Sequence, residues 1–489
     1  MKFNLIITLA TVFALACSQN QSQEIPPSIS KYRPLLHFTP PANWMNDPNG
    51  MVYYEGEYHL FYQYYPDSTV WGPMHWGHAV SADMVSWAHL PIALYPDDLG
   101  YIFSGSAVID WKNTSGLGTE QSPPMVAIFT YHDPVGLEEG RLDFQTQGIA
   151  YSLDKGRTWE KYKDNPVLEN PGIFDFRDPK VSWMEEFQKW IMILAVKDHI
   201  SIYSSDDLIN WIKESDFGES LGAHGGVWEC PDLFKLKNQK GEEKWVMLVS
   251  INPGGPRGGS ATQYFIGDFD GETFQTDDES IRWLDHGADN YAGVTWADIP
   301  EADGRRLFVG WMSNWQYAQV VPADDFRSAM TLPRELILRN TKRGNEVWSV
   351  PVEEIDKYFN SEVSFQNEME ITADAYVVSF EVTDAKNFSI NFSNELGEIV
   401  DIKSEAGIFS FDRSQSGHVD FEEGFGVKHE IDFADITIQT IQIFVDKTSL
   451  EVFVNDGERV VTELVFPQEP YNKIMLKGVK EAVYSPIAK

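Results

Sequence analysis

Short runs of aromatic and β-branched residues, separated by turn-forming residues, dominate the first two thirds of the chain. From about residue 35 to about residue 335 these runs alternate with clusters of Gly, Pro, Asn and Asp, as at 51–65, 190–196, 245–251 and 306–311. Runs bounded in this way are typical of β-strands. No long stretch repeats its apolar residues at the spacing of an amphipathic helix. The pattern therefore predicts an all-β structure with few helices.

A short motif recurs in this region at intervals of roughly 50–70 residues. An Asp precedes a Trp by a few positions in three copies, and a fourth copy ends in Phe; the copies are Asp83 to Trp87, Asp154 to Trp159, Asp207 to Trp211 and residues 267–274. Each resembles a hairpin whose Asp ties the turn and whose ring packs beneath it. Recurrence of such a unit is typical of β-propeller blades, and the number of hairpins indicates about five.

The last third of the chain follows a different pattern. A polar segment interrupts the first pattern near 339–345, and alternation of apolar and polar residues resumes from about residue 356. Asn455-Asp456-Gly457 is typical of a hairpin turn. We therefore predict a propeller domain at 35–337, a linker at 338–355 and a C-terminal β-sandwich at 356–489. The sandwich has no cluster of convergent acids, which favours a structural or accessory role.

Composition narrows the choice of partners. The 489 residues include 38 Lys and Arg against 74 Asp and Glu, which gives a formal net charge of −36. This charge repels nucleic acid and anionic membrane surfaces and so disfavours both as partners, whereas a neutral polysaccharide is compatible with it. Hydrophobic residues make up 43% of the chain, as expected for a folded globular protein.

The N terminus resembles an export signal. An apolar stretch at 5–16 follows Lys2, is too short for a stable transmembrane helix, and ends in Ala-Leu-Ala before Cys17. A Cys after small residues resembles a bacterial lipoprotein box. Residues 1–17 are therefore predicted to be a signal peptide, Cys17 the site of lipidation and residues 18–34 a tether, so that the lipid would be the only membrane contact. The alternative is a soluble secreted protein in which Cys17 is incidental.

Three short acidic motifs lie within about 190 residues of one another. Each places a carboxylate beside Pro or Cys in aromatic sequence, where an acidic group is costly to bury without a function. The motifs are Trp44-Met45-Asn46-Asp47-Pro48-Asn49-Gly50, Phe176-Arg177-Asp178-Pro179 and Trp228-Glu229-Cys230-Pro231-Asp232. Because the blades of a propeller surround one axis, residues distant in sequence can converge at one end of its channel.

Two of these acids suit the two steps of a retaining glycosidase. Such an enzyme uses one carboxylate as a nucleophile and a second carboxylic acid to protonate the leaving oxygen. The acid must hold its proton near neutral pH, and the apolar neighbour Trp228 favours this for Glu229. Asp47 lies among Asn46, Asn49 and turn backbone that can stabilise an ionised form. These residues indicate Asp47 as the nucleophile and Glu229 as the acid/base.

Together and in this order, the motifs resemble the signature set of glycoside hydrolase family 32, the β-fructosidases, which include levanases, inulinases and invertases. The resemblance covers the chain after the signal segment and implies a five-bladed β-propeller followed by a β-sandwich. It implies the same roles for Asp47 and Glu229, and it makes Asp178 a transition-state stabiliser that binds hydroxyls of the fructosyl ring. It also implies a neutral fructose-containing oligosaccharide or polysaccharide as the substrate, with no cofactor.

Further positions match the family pattern around the fructosyl site. Amide and hydroxyl groups suit the sugar hydroxyls, and aromatic walls exclude water. The residues that the resemblance places there are Asn46, Gln63, Trp71, Phe103, Ser104, Arg177 and Trp315. For Trp71, Phe103 and Trp315, a role as core aromatics is the alternative. Asp47 stands where endo-acting inulinases tend to carry Glu, which favours exo action, and the preference among levan, inulin and sucrose stays open.

Other functions share parts of this pattern. Residues 152–159 also resemble the Asp-box of sialidases, but the arginine cluster and the net charge that suit an anionic substrate are missing. An inverting five-bladed glycosidase for arabinan or xylan would lack the full first motif. A non-catalytic glycan-binding surface lipoprotein would not need all three acids. His75 and His78 form the closest histidine pair, yet nothing completes a metal-ligand spacing, so no metal site is predicted. Cys230 is predicted to be a small buried residue.

Overall fold

The computed structural model describes residues 31–488, and these form an almost entirely β structure, as predicted. The helical elements in this range are α1 (Pro134–Glu138) and a 3-10 helix, Glu353–Tyr358. Neither these nor any other helix among the described residues has the length and apolar character that a membrane crossing requires. The predicted signal peptide, Cys17 and the tether up to residue 30 lie outside the described residues.

Four antiparallel sheets of four strands follow one another along the chain and form blades one to four. Their strands are β1 (Asn43–Tyr54), β2 (Glu57–Tyr65), β3 (His75–Ser81) and β4 (Ala88–Leu94); β5 (Tyr101–Ile109), β6 (Met125–His132), β7 (Gln145–Ser152) and β8 (Glu160–Lys161); β9 (Phe176–Met184), β10 (Lys189–Val196), β11 (His199–Ser205) and β12 (Ile212–Phe217); β13 (Val227–Lys237), β14 (Glu243–Asn252), β15 (Ala261–Phe269) and β16 (Phe274–Gln275).

A fifth blade closes the ring. Its strands are β17 (Tyr291–Thr295), β18 (Leu307–Met312), β20 (Ala329–Met330), β21 (Arg334–Thr341) and β22 (Gly344–Pro351), and β19 (Phe326–Arg327) lies between β18 and β20 in the chain. The first strands of successive blades contact each other in turn, and β17 contacts β1, so these five inner strands surround a central channel. Strand β19 joins blade one instead, where it pairs in parallel with β1 through Asn43–Phe326 and Trp44–Arg327. The five-bladed propeller expected from the sequence is confirmed.

The recurring Asp motif lies at the turn between the third and fourth strands of each of the first four blades. In the first copy, the carboxylate of Asp83 accepts hydrogen bonds from the N–H groups of Val85 and Ser86, and the indole of Trp87 donates to the carbonyl of Met84 (2.8 Å). The other copies repeat the carboxylate-to-backbone bonds. The Asp therefore satisfies the turn's backbone donors, which explains its recurrence.

The predicted linker at 338–355 is wrong over most of its length. Residues 338–351 lie in β21 and β22, which pair as a hairpin with Thr341 opposite Gly344. Leu336, Leu338 and Val347 of this hairpin pack into an apolar cluster, and the polar residues at 341–344 form the turn. The polar run was thus a hairpin tip of blade five. We propose a domain boundary after Pro351, where the chain enters the 3-10 helix.

The C-terminal region is the predicted β-sandwich of two six-stranded antiparallel sheets. One sheet has the order β23-β34-β25-β30-β31-β32 and the other β24-β33-β26-β27-β28-β29. Their apolar inner faces form one core. The strands are β23 (Val363–Phe365), β24 (Glu368–Glu370), β25 (Tyr376–Val382), β26 (Asn387–Ser393), β27 (Ile399–Glu405), β28 (Ile408–Gln415), β29 (Lys428–Ile431), β30 (Thr440–Asp446), β31 (Ser449–Val454), β32 (Arg459–Leu464), β33 (Lys473–Lys477) and β34 (Val479–Pro486).

Buried charges join the propeller to the sandwich. We call one group the interface cluster: His37, Asp285, Arg334, Asp446 and Glu451. Arg334 of β21 pairs with Asp285 (3.0 Å) and with Glu451 of β31. His37 contacts Asp446 and Glu451, both at 2.8 Å. These five side chains are at most 3% exposed, so every charge depends on its partners rather than on water.

Candidate active site

A β-bulge interrupts each of the five inner strands close to its N-terminal end. In every blade, two residues of the inner strand lie opposite one residue of the second strand, and the bulged pairs are 46–47, 103–104, 178–179, 230–231 and 292–293. A bulge bends its strand and redirects side chains out of the regular pleat. Five bulges at equivalent positions therefore aim the side chains of five blades into one mouth of the channel.

The bulges explain the unusual residue types in the acidic motifs. Proline has no N–H to donate to a ladder and is tolerated in sheets at bulges, where Pro179 and Pro231 lie. Asp178 and Cys230 have φ angles of 64° and 44°, in the left-handed region that non-glycine residues seldom adopt. Such strained conformations persist only where the surroundings hold them, and they cluster at functional sites.

Asp47 projects from the bulge of β1 and is hydrogen-bonded through both oxygens. Asn46 Nδ2 donates to its Oδ1 (2.9 Å), and Ser104 Oγ donates to its Oδ2 (2.6 Å). Asn46 is itself held by the indole of Trp44 (2.8 Å). Neutral donors on both oxygens orient the carboxylate and stabilise its ionised form without neutralising it, as a nucleophile requires.

Asp178 lies deeper, at 5% exposure, in the bulge of β9. Its backbone N–H donates to Thr130 Oγ1 (3.0 Å), and its Oδ2 accepts the backbone N–H of Cys230 (3.0 Å). The Cys230 thiol lies between two acids, with Sγ 3.5 Å from Asp47 Oδ2 and 3.6 Å from Asp178 Oδ2. Cys230 is buried, as predicted, but it also contacts both carboxylates. Burial raises the pKa of its thiol, and the neighbouring acids raise that pKa further, so the sulfur keeps its proton.

Glu229 accepts hydrogen bonds from two side chains of other blades. Arg177 donates to its Oε1 from Nε (3.0 Å) and from Nη2 (2.9 Å), and the hydroxyl of Tyr291 donates to its Oε2 through a very short hydrogen bond. Arg177 is also paired with Asp175 (2.5 Å). Tyr291 stands at the start of β17, so blade five completes a mouth to which the other four blades also contribute.

The charges in this mouth are unbalanced. Asp47, Asp178 and Glu229 face one guanidinium, that of Arg177, which Asp175 also shares. Burial raises the pKa of Asp178; Arg177 opposes that rise, and the charges of Glu229 and Asp47 add to it, so that the pKa of Asp178 reaches about 7. Burial, and next the charge of Glu229, also raise the pKa of Asp47. Asp47 and Asp178 therefore bind a proton more readily than isolated aspartates would.

The residues that the sequence places around the sugar lie at this mouth or directly behind it. Asn46, Ser104 and Arg177 contact the acids as described above. Gln63 is buried and donates to the carbonyl of Ile102 (3.0 Å), next to the bulge of β5. Of the aromatic residues, Trp71 is 37% exposed and meets Phe103 edge to face, with 6.1 Å between ring centroids. Trp315 stacks on Trp44, at 5.8 Å between centroids.

Sequence reasoning missed Tyr291 and Thr130 as members of the site. Tyr291 follows Asp289-Asn290 and has no neighbouring carboxylate-Pro pair that would mark a bulge. A usable signal existed, because the other motifs all lie at the starts of inner strands and Tyr291 begins the inner strand of blade five. Thr130 lies in β6, a second strand, where one threonine in an apolar run carries no signal.

Comparison with known proteins agrees with this geometry. The family model described as the glycosyl hydrolases family 32 N-terminal domain matches residues 37–351, and the family 32 C-terminal model matches residues 348–485. The chain is 46% identical to a levanase of Bacillus subtilis, over 95% of this chain and 70% of that protein. It is 40% identical to an extracellular exo-inulinase of Aspergillus niger, over 89% of this chain and 90% of the relative.

Solved structures are similar over most of the chain. The crystal structure of an exo-inulinase from Aspergillus awamori superposes with a TM-score of 0.85 at 35% identity, covering 94% of this chain and 98% of the other. A fructofuranosidase from Schwanniomyces occidentalis, solved in complex with fructosylnystose, gives a TM-score of 0.83 at 32% identity, with the same coverage.

Proposed function

This chain belongs to glycosyl hydrolase family 32 and is a glycosidase of the β-fructosidase type that acts on fructans and sucrose; we propose that it releases terminal fructose by double displacement, with Asp47 as the nucleophile and Glu229 as the acid/base. The observation that carries the proposal is the different support of the two acids. Asp47 is held by the neutral donors Asn46 and Ser104, whereas Glu229 is held by Arg177 and Tyr291 from other blades.

In the first step Asp47 Oδ attacks the anomeric carbon of the terminal fructosyl unit while Glu229 protonates the departing oxygen. A covalent fructosyl-enzyme forms and the rest of the chain leaves. In the second step Glu229, now a carboxylate, takes a proton from water, which attacks the same carbon and frees Asp47. Arg177 and Tyr291 stabilise Glu229 as it alternates between the acid and its conjugate base. Both displacements occur at the same carbon, so the configuration is retained.

Asp178 is the third acid, and we assign to it the binding of fructosyl hydroxyls and the stabilisation of the transition state. Asp178 is buried and accepts a hydrogen bond from the N–H of Cys230, which holds its carboxylate in place. In this assignment the carboxylate lies below the sugar ring. A charge that develops on the ring is stabilised by a preorganised carboxylate in a site that excludes water. The proposed walls for the sugar are Gln63, Trp71, Phe103 and Trp315.

Proton NMR of the first sugar released tests the mechanism. Retention predicts that β-fructofuranose appears before mutarotation, and high sucrose concentrations should yield fructosyl-transfer products because a sugar hydroxyl can replace water in the second step. Initial appearance of the α-anomer would mean inversion, the rival mechanism of arabinan- and xylan-type propeller glycosidases. It would remove the nucleophile role from Asp47 while leaving the activity itself in place.

Exo action is proposed from Asp47 standing where endo-acting enzymes tend to carry Glu, and from the exo-inulinase names of close relatives. Product analysis over time decides this. Free fructose as the sole early product from levan or inulin supports exo action, and early oligosaccharides would overturn it. The same assay with sucrose as the third substrate ranks the preferences.

Export is supported by relatives named as extracellular enzymes, and we propose that the exported protein is lipidated at Cys17. Cys17→Ala should move the protein from the membrane fraction to the soluble fraction. Unchanged fractionation would leave plain secretion as the mode of export.

A further inference from the structure

A second cavity, of about 870 Å³, opens at the other end of the propeller from the three acids. Its lining comes from the C-terminal parts of three inner strands, with Ile109 of β5, Met184 of β9 and Lys235 of β13, and from Asp298, which follows β17. The acids lie at the N-terminal ends of the same inner strands. The two cavities therefore open on opposite faces of the ring.

Buried side chains close the channel between these two faces. Lys180 Nζ donates to the carbonyl of Thr295 (2.5 Å) and lies 3.3 Å from Asp232 Oδ2. Asp232 in turn accepts from the N–H (2.7 Å) and the hydroxyl (2.8 Å) of Thr295. From Asp178 to Met184 along β9 the backbone spans roughly 20 Å, at about 3.3 Å per residue. A ligand in the second cavity thus cannot reach the acids through the ring.

An exposed tryptophan stands at the rim of this second cavity. Within residues 31–488, the exposed large hydrophobic side chains include two tryptophans: Trp71, at 37%, near the acids, and Trp111, at 54%, at this second cavity. The ring of Trp111 is fixed, because its Nε1 donates to Asp298 Oδ1 (2.8 Å) and Tyr54 meets it edge to face at 5.6 Å between centroids. A rigid, exposed aromatic face loses little entropy when a ligand stacks on it.

A second indole lies in the same cavity with polar groups around it. The Nε1 of Trp183 donates to Glu185 Oε2 (2.6 Å), and Lys112 Nζ lies over the Trp183 ring, 4.5 Å from its centroid. Lys112 also pairs with Glu185 (3.0 Å), so a donor and an acceptor flank the ring at the surface. Aromatic faces bordered by hydrogen-bonding groups complement a sugar, which presents C–H faces and hydroxyl edges.

An arginine in this cavity has unused donors. The guanidinium of Arg306 lies 5.0 Å from the ring of Phe234 and makes no hydrogen bond or ion pair with any residue of the described range. A half-buried guanidinium without an acceptor is unusual, because burying polar groups is costly unless they are hydrogen-bonded. Ligand oxygens would supply the missing acceptors.

We propose that this distal groove, defined by Trp111, Trp183 and Arg306, binds a second stretch of fructan chain. The proposal rests on the proposed function for the class of polymer. A neutral glycan fits better than an anionic one, because the nearby lysines are already paired, Lys112 with Glu185 and Lys235 with Glu186, and the protein carries a net charge of −36. The groove holds the enzyme on the polymer while the catalytic mouth shortens a free end.

Affinity electrophoresis through gels containing soluble levan or inulin tests the groove, in an Asp47→Asn background that prevents hydrolysis. Trp111→Ala should reduce retardation by the polymer about three- to tenfold, as expected for loss of one stacked ring. The matched control is Trp348→Ala, which removes a half-buried tryptophan from β22. With Asp47 restored, Trp111→Ala should raise KM for levan by a similar factor and leave sucrose hydrolysis and the melting temperature unchanged.

The outcomes distinguish a failure of the groove proposal from a failure of the proposed function. Retardation that is unchanged in Trp111→Ala, or reduced equally in Trp348→Ala, overturns the groove while fructose release by the parent enzyme still stands. A protein that releases no fructose from sucrose, levan or inulin fails the proposed function whatever its retardation. Sedimentation of Trp111→Ala tests whether a second copy of this chain occupies the groove instead of a glycan. A change in oligomeric state with unchanged glycan binding would make the surface a contact between copies and would also overturn the proposal.

Discussion

Two groups of buried carboxylates in this protein differ in how their charge is balanced. In the interface cluster, three acids meet two cationic partners, Arg334 and His37. Burial raises the pKa of Asp446 and Glu451, but hydrogen bonds and charges from His37 and Arg334 outweigh it, and both pKa values fall below the ordinary range. At the catalytic mouth, three acids share one guanidinium, and the pKa of Asp178 rises to about 7.

This difference teaches how one fold separates stability from chemistry. A buried acid with a full complement of partners is ionised at all physiological pH values and exchanges nothing with a substrate. A buried acid that lacks a partner is costly for the fold but is ready to take up or release a proton. The catalytic mouth thus holds acids that lack charge partners, whereas the interface cluster holds acids whose charges are matched.

The largest expected effect is on chemistry. Asp47→Asn should reduce fructose release from sucrose by on the order of 10⁴-fold, because the amide cannot form the covalent intermediate. Glu229→Gln should lose activity similarly but recover part of it with substrates whose leaving groups need no proton. The control is Glu451→Gln, which alters a fully buried acid far from the mouth and should leave kcat of the folded protein near the parent value. A folded Asp47→Asn enzyme with parental kcat would reject the assignment.

A smaller effect, on stability alone, is expected at the interface. Arg334→Met should lower the free energy of unfolding by about 3–5 kcal/mol, because it leaves Asp285 buried without its cation and Glu451 with His37 as its one cationic partner. Urea denaturation followed by tryptophan fluorescence measures the loss. Pairing Arg334→Met with Glu451→Met should restore part of it, because an apolar pair needs no counter-charge. A loss below about 1 kcal/mol would mean that the cluster is not balanced as described.

The unbalanced acids should make the fold less stable as the pH rises. The pKa of Asp178 is about 7 in the folded protein against an ordinary 3.8, so the folded state binds the proton more tightly and stability falls between about pH 4 and pH 7. Asp178→Asn removes this titration and should stabilise the protein by about 2 kcal/mol at pH 8, but not at pH 3.5. Thermal unfolding at the two pH values measures it, and equal effects at both would contradict the prediction. The same variant should lose activity.

The smallest effect is expected at His37. Burial lowers its pKa, but hydrogen bonds and charges from Asp446 and Glu451 outweigh this and raise it to about 9. Because that value lies above the ordinary 6.5, its contribution is complete below about pH 6.5 and is lost as the pH rises through about 9. His37→Gln should therefore cost about 1 kcal/mol at pH 6, and the gap to the parent should narrow by pH 9.5. A gap that is constant with pH would show that His37 does not titrate with the fold.

Much of the architecture could be predicted from the sequence because the contacts that mark it are local. The Asp turns repeat with the blades, and each tie is made within about five residues of chain, so the sequence displays them directly. The carboxylate-Pro pairs of Asp47 and Asp178 were conspicuous for a related reason: they stand at bulges, where ladder bonding is interrupted. Their shared mouth then follows from the ring, since equivalent positions of the five inner strands meet.

The features that the sequence did not predict depend on contacts between residues that are distant in sequence. Tyr291 reaches Glu229 from another blade, and no neighbour of Tyr291 reports that contact. The polar tip of the hairpin at 338–351 has the composition of a linker. The pairing of Thr341 with Gly344 depends on an apolar core that the alternation of residues does not locate. His37 is similar: a lone histidine before the first strand gave no sign of Asp446 or Glu451.

The parallel pairing of β19 with β1 has a consequence for the nascent chain. During synthesis, Asp47, Asp178 and Glu229 leave the ribosome in that order, but Phe326 and Arg327, which pair with Asn43 and Trp44, emerge only after all three. Chains stopped at residue 320 and at residue 351, compared for protease resistance of blade one, would show whether this late pairing sets the moment of closure. When two thirds of this protein have been made, Asp47, Asp178 and Glu229 are therefore all present, but the pairing of β19 with β1 is not yet complete.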